Sequence, residues 1–170
     1  MFANQVRDIL IPLDEYPKVH EEATLRDAFM VLREGYRRGR RFRHVLVLDR
    51  QERLIGILGM RDILRGVFPD YLKPENHLRF EGALNDVAGL ASIWQDTCQE
   101  QCAAAANKPV RSFMGAIPDI ITPDSPIALA AYLMVAHNTS MLPVVEAQRV
   151  VGVCRIIDVF NEASEAVLHD

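Results

Sequence analysis

Residues 44–64 read HVLVLDRQERLIGILGMRDIL, and residues 141–160 read MLPVVEAQRVVGVCRIIDVF. Each is a pair of apolar runs around a polar turn, the pattern of a β-hairpin, with strands predicted at 44–49 and 54–58 and again at 142–145 and 150–154. In both, a glycine sits in the second run, Gly56 and Gly152, and an aspartate follows six residues later, Asp62 and Asp158. Those aspartates open helices predicted at 60–67 and 156–167, where the helix dipole favours a carboxylate.

The likeness extends upstream. VRDIL (6–10) and YPKVHEEATLRDAFMVL (16–32) precede the first hairpin, and VRSFM (110–114) and IPDIITPDSPIALAAYLM (117–134) precede the second. Leu25, Ala28, Phe29 and Leu32 form the i, i+3, i+4, i+7 stripe of a helix over 24–34, and Ile127, Ala130, Ala131 and Met134 repeat it over 126–136. Each half is therefore predicted as β-α-β-β-α. A half of about 60 residues buries its sheet poorly alone, so the two are expected to pack as a pseudo-twofold pair. The offset between the halves drifts at one main place, GYRRGRRFR (35–43), about five residues longer than its counterpart.

This ordered set of motifs resembles the tandem CBS (cystathionine-β-synthase-type) domain pair, or Bateman module. The first half carries VRDIL, ATLRDA, HVLVLD and GILGMRD, and the second carries VRSFM, SPIALAA, MLPVVE and GVCRIID. The resemblance implies an α+β fold with repeats at 1–70 and 110–170 and a helical insertion at 71–109. It implies a regulatory module, not an enzyme. The ligand would be an adenine nucleotide or related adenosyl compound (AMP, ADP, ATP or S-adenosylmethionine) in clefts between the repeats, with no other cofactor required. A carboxylate suits a ribose because it accepts hydrogen bonds from both hydroxyls of a cis-diol. Asp62 and Asp158 match the family's ribose aspartate. The neighbouring Thr position holds Gly59, which leaves room, and Arg155, which either crowds the ribose or reaches a phosphate. Base-lining positions match Lys18, Val19, Asp119 and Ile120, and further lining positions match His44, Val45, Met141 and Leu142. The alternative is an interaction module with degenerate clefts and no nucleotide.

Other features are weighed against plain readings. Arg37, Arg38, Arg40 and Arg41 in the long loop are candidates for phosphate contact, against a solvated loop balancing an acidic chain. The 170 residues carry a formal net charge of −4, which argues against nucleic acid, and no apolar run is long enough for a membrane span. Cys98 and Cys102 stand one helical turn apart, with His77 and Cys154 as loose companions, short of a dedicated metal site. Three cysteines at no framework spacing suit reduced thiols in the cytoplasm. No nucleophile elbow or P-loop is visible. Residues 83–106 read as a helix, packed on its own domain or forming a partner surface. Met30, Val31, Leu64, Val67, Leu133, Val135, Val159 and Phe160 give the helices a second apolar stripe, which points to a homodimer, with an unidentified protein receiving the signal.

Overall fold

The computed structural model describes residues 4–68, 89, 92, 95, 99–117 and 119–168. The first repeat holds β2 (Lys18–His20), α1 (Leu25–Arg37), β3 (His44–Leu48), β4 (Leu54–Gly59) and α2 (Met60–Val67), preceded by a two-residue strand β1 (Ile11–Pro12). The second holds α3 (Ile127–Ala136), β5 (Met141–Glu146), β6 (Arg149–Arg155) and α4 (Ile156–Leu168). Two three-stranded sheets result, ordered β2-β3-β4 and β1-β6-β5. The α+β architecture is as expected, but among the described residues the second repeat has no full first strand. Ile121 makes a single parallel bridge to Val144, and Pro123 just beyond it has no N–H to continue a ladder.

The two V-R-x-h-h openings are short 3-10 helices, Val6–Asp8 and Val110–Ser112. Each docks on the partner repeat's pre-helix turn. Val6 N–H donates to Ser125 O and Arg7 N–H to Pro123 O, both at 2.9 Å. Reciprocally, Val110 N–H donates to Ala23 O, and Leu25 N–H to Lys108 O, at 2.9 Å. Just beyond, Ile11 pairs with Val153 and Pro12 with Gly152 in the ladder, and Gly115 bridges Ile57. The chain accordingly divides into two compact units, 1–17 with 48–55 and 116–170, and 18–47 with 56–115.

Gly56 and Gly152 are needed where the openings arrive. A Cβ on Gly152 would stand 2.4 Å from the Ile11 carbonyl oxygen, and one on Gly56 would stand 2.5 Å from Met114 Sδ. The first unit's core gathers Val6, Ile121, Ala130, Met134, Leu142, Val144, Cys154 and Val159. In the second unit Leu25, Ala28 and Leu32 face inward from α1 as expected, whereas Phe29 is left 40% exposed.

Thr24 caps α1 through a reciprocal box with Asp27, the Thr24 N–H donating to Asp27 Oδ2 at 2.8 Å. That bond and the Thr24 hydroxyl hold the Asp27 carboxyl below its ordinary range. Helix α1 runs further than expected, through Arg37, and closes on a Schellman motif. Arg40 N–H reaches Gly35 O at 2.9 Å, Gly39 N–H reaches Tyr36 O at 3.0 Å, and Gly39 takes φ +77°. The hairpin turns differ. Asp49, buried at the first, accepts from the Gln51 and Arg53 N–H groups at 2.8 and 2.9 Å, contacts that lower its carboxyl's pKa. The second is a two-residue turn with Ala147 and Gln148 both at positive φ. Among the described residues no helix is long and apolar enough to cross a membrane.

Of the expected insertion helix 83–106, residues 89, 92, 95 and 99–105 are helical, Ala106 is a turn, and the remainder lies outside the described residues. His77 and Cys98 also lie outside. Among the described residues no cluster of three or more His, Cys, Asp or Glu could hold a metal ion.

Candidate functional site

The sequence-matched residues fall into two sets, one in each compact unit. In the set from the first repeat, β4 delivers Gly59 to the N-cap of α2, and Asp62 stands at N3. Gly59 N–H donates to Asp62 Oδ2 at 2.8 Å, so this carboxylate has the structural role of closing its own helix. Its other oxygen, Oδ1, has Arg65 Nη1 at 3.9 Å, beyond hydrogen-bond range. The Asp62 side chain is 31% exposed. A Cβ at Gly59 would meet Asp62 Oδ2 at 3.2 Å and His44 Cδ2 at 3.4 Å. Gly59, Asp62 and His44 therefore converge closely at the start of α2. Burial lowers the His44 pKa, and Arg43 adds to that, while Asp62 opposes it. The imidazole is thus held neutral near pH 7. Lys18 is half-buried on β2, while Val19 and Val45 are buried.

In the set from the second repeat, Asp158 lies at the start of α4 and is engaged differently. Arg155 Nε donates to Asp158 Oδ2 at 2.6 Å, and Nη2 donates to Oδ1 at 2.7 Å. This is a forked pair with side chains 26% and 19% exposed. The pairing raises the Arg155 pKa. Tyr16 is buried and near enough to feel both charges; desolvation pushes its hydroxyl well above the usual range. Cys154, also buried, has its thiol pushed up to about 12 by desolvation, and Asp158 adds to that. Arg155 reaches its own helix's carboxylate, an outcome neither sequence alternative named.

Asp119 and Ile120 precede α3. His137 Nδ1 lies 3.1 Å from Asp119 Oδ2 but out of line for a hydrogen bond, and that buried oxygen has no hydrogen-bond partner in the structure. Ile120 is 55% exposed and lines an open cleft of about 480 Å³ with Arg53, Leu54, Ile117, Thr122, Val145, Ala147, Gln148 and Val150. None of the other matched residues borders that cleft. Val45, Met141 and Leu142 are fully buried, leaving them only backbone atoms to offer a ligand.

The arginine group is exposed. Arg37 ends α1, and Arg38 donates through Nε to Glu34 Oε1 at 2.8 Å. Phe42, buried, anchors the return to β3. The repeat spacing located the paired aspartates. It did not reveal that Tyr16, the first residue of the stretch 16–32, is buried beside the Arg155–Asp158 pair.

A model of the CBS domain family matches residues 6–68 and 110–165. Solved structures share the fold. The CBS-pair protein CBSX2 from Arabidopsis thaliana aligns with a TM-score of 0.67 at 18% identity, over 99% of both chains. CBSX2 has also been solved in complex with AMP. The CBS domain pair of protein MJ0100, in complex with 5-methylthioadenosine and S-adenosyl-L-methionine, aligns with a TM-score of 0.63 at 18% identity, over 98% of this chain and 99% of that one. The cytosolic domain of the Mg2+ channel MgtE, in complex with ATP, aligns with a TM-score of 0.62 at 20% identity, over 94% of this chain and 49% of that one. A search of curated proteins finds no match.

Proposed function

Because this chain belongs to the CBS domain family, we propose that it is a ligand-sensing regulatory module, without catalytic activity of its own, that binds an adenine nucleotide or related adenosyl compound at Asp62. The observation that carries this reading is the state of the Asp62 carboxylate. One oxygen is spent on the Gly59 N–H, and the other is left to accept from a ribose hydroxyl. The adenosyl ligands of CBSX2, MJ0100 and MgtE support the ligand class. The protein works in the cytoplasm and passes its signal to a separate protein.

A thermal-shift screen of AMP, ADP, ATP and S-adenosylmethionine tests this. A ligand at a hundredfold its Kd stabilises by about 2.7 kcal/mol, which is several degrees in Tm. No shift with any of the four at millimolar concentration would overturn the reading.

The exposed arginines fit a polyphosphate tail. Neutralising Arg37, Arg38, Arg40 and Arg41 to Gln is expected to weaken ATP about tenfold while leaving adenosine nearly unchanged. Equal losses for the two in calorimetry would remove the loop from the site.

The assembly is a homodimer through the helices. Tyr132, Val135 and Phe160 stand exposed on α3 and α4, and Met30 and Leu64 on α1 and α2. Val67 and Val159, expected on the same outer faces, turn inward and are buried. Helix α3, IALAAYLMVA, is apolar all round, yet only Ala130 and Met134 are fully buried. Such a surface suits an isologous contact. Sedimentation at micromolar concentration is expected to give about twice the 19.2 kDa chain mass, and Val135→Glu with Phe160→Glu to give the monomer. A wild-type monomer would contradict the dimer.

A further inference from the structure

The two repeats place the same aspartate at the same point, the third residue of the final helix, yet treat it in opposite ways. At Asp62 the residue three positions earlier is Gly59, which contributes only its backbone N–H to one oxygen. At Asp158 the equivalent residue is Arg155, whose forked guanidinium takes both oxygens, at 2.6 and 2.7 Å. We propose that Arg155 is a built-in occupant of the second-repeat site, holding Asp158 where a ligand's diol would dock, so that each chain binds one nucleotide rather than two. This rests on the reading of Asp62 given above and extends it to stoichiometry.

The competition is unequal on chemical grounds. A ribose offers Asp158 two neutral O–H donors. Arg155 already supplies two N–H donors of fixed geometry together with a full positive charge, and it does so intramolecularly. A diol that displaced it would also have to leave a half-buried guanidinium without its counter-ion. Arg155 is accordingly a specificity-determining residue. It decides which of two matching carboxylates a ligand can use, and it removes itself from any role in gripping phosphate.

Isothermal calorimetry with AMP on the full chain tests this. The wild type is expected to bind one AMP per chain, and Arg155→Thr two. The second event should vanish in Arg155→Thr with Asp158→Ala but survive in Arg155→Thr with Asp62→Asn. Arg155→Lys keeps the charge in a shorter cation and should stay at one. If Arg155→Thr folds poorly, judged by its thermal transition, Arg155→Gln carries the same expectation. Two sites in the wild type, or no Asp158-dependent site gained on removing Arg155, overturns the inference. The two readings fail separately. A wild type that binds no AMP sinks the Asp62 reading. A site that then appears on removing Arg155 and depends on Asp158 still upholds this one.

Discussion

Replacing Gly152 with alanine is expected to cost about 3 kcal/mol of stability, at the upper end of what overpacking costs. The new Cβ would stand 2.4 Å from the Ile11 carbonyl oxygen and 2.7 Å from Leu10 Cδ1. The first of these is backbone, held in the ladder by the Ile11–Val153 and Pro12–Gly152 pairs, and cannot swing aside. The strand would have to leave. Gly56→Ala is expected to cost only about 1 kcal/mol, because most of its clash is with the end of the Met114 side chain, which can adopt another rotamer. Alanine also recovers some backbone entropy at both positions, so the difference between the variants is the cleaner quantity. Denaturant titrations of both decide it. Equal and small costs would mean that the openings do not press on these strands as described.

The second large effect is on binding. Asp62→Asn should weaken adenine-nucleotide affinity about tenfold, and Asp62→Ala about a hundredfold. The asparagine matters to the logic. Its amide oxygen can still accept from the Gly59 N–H, so the helix keeps its cap while the ribose loses a charged acceptor. A loss in Asn without a fall in Tm assigns the effect to the ligand rather than to α2. Asp158→Asn should leave affinity unchanged, since both of its oxygens are committed to Arg155. Matched losses at the two aspartates would remove the asymmetry.

How much of this could be read from sequence follows from what each feature depends on. The hairpins, helices and paired aspartates were legible because they rest on local periodicity and on a spacing that occurs twice. The Gly56–Gly152 equivalence was visible, but its cause was not. The cause lies in segments about 60 and 140 residues away, Met114–Gly115 and Leu10–Ile11, packed against them. The same holds for the exchange of openings, where Val6 and Val110 bond to turns in the other repeat. Helix α1 outran its predicted end because the break sits at Gly39, after the last apolar residue of the stripe. Val67 and Val159 were assigned to the outer stripe, but packing turned them inward. The Arg155–Asp158 pair was within reach of a sequence argument, since residues three apart at a helix start are neighbours. What hid it was the assumption that a residue at a ligand position must face a ligand.

The measurement that bears most directly on the central claim is a crystal structure of the chain grown with saturating AMP. Both ribose hydroxyls should lie within hydrogen-bond distance of the Asp62 carboxylate, with Asp158 still forked to Arg155. A ribose seated on Asp158, or neither aspartate holding nucleotide at saturation, would contradict the account.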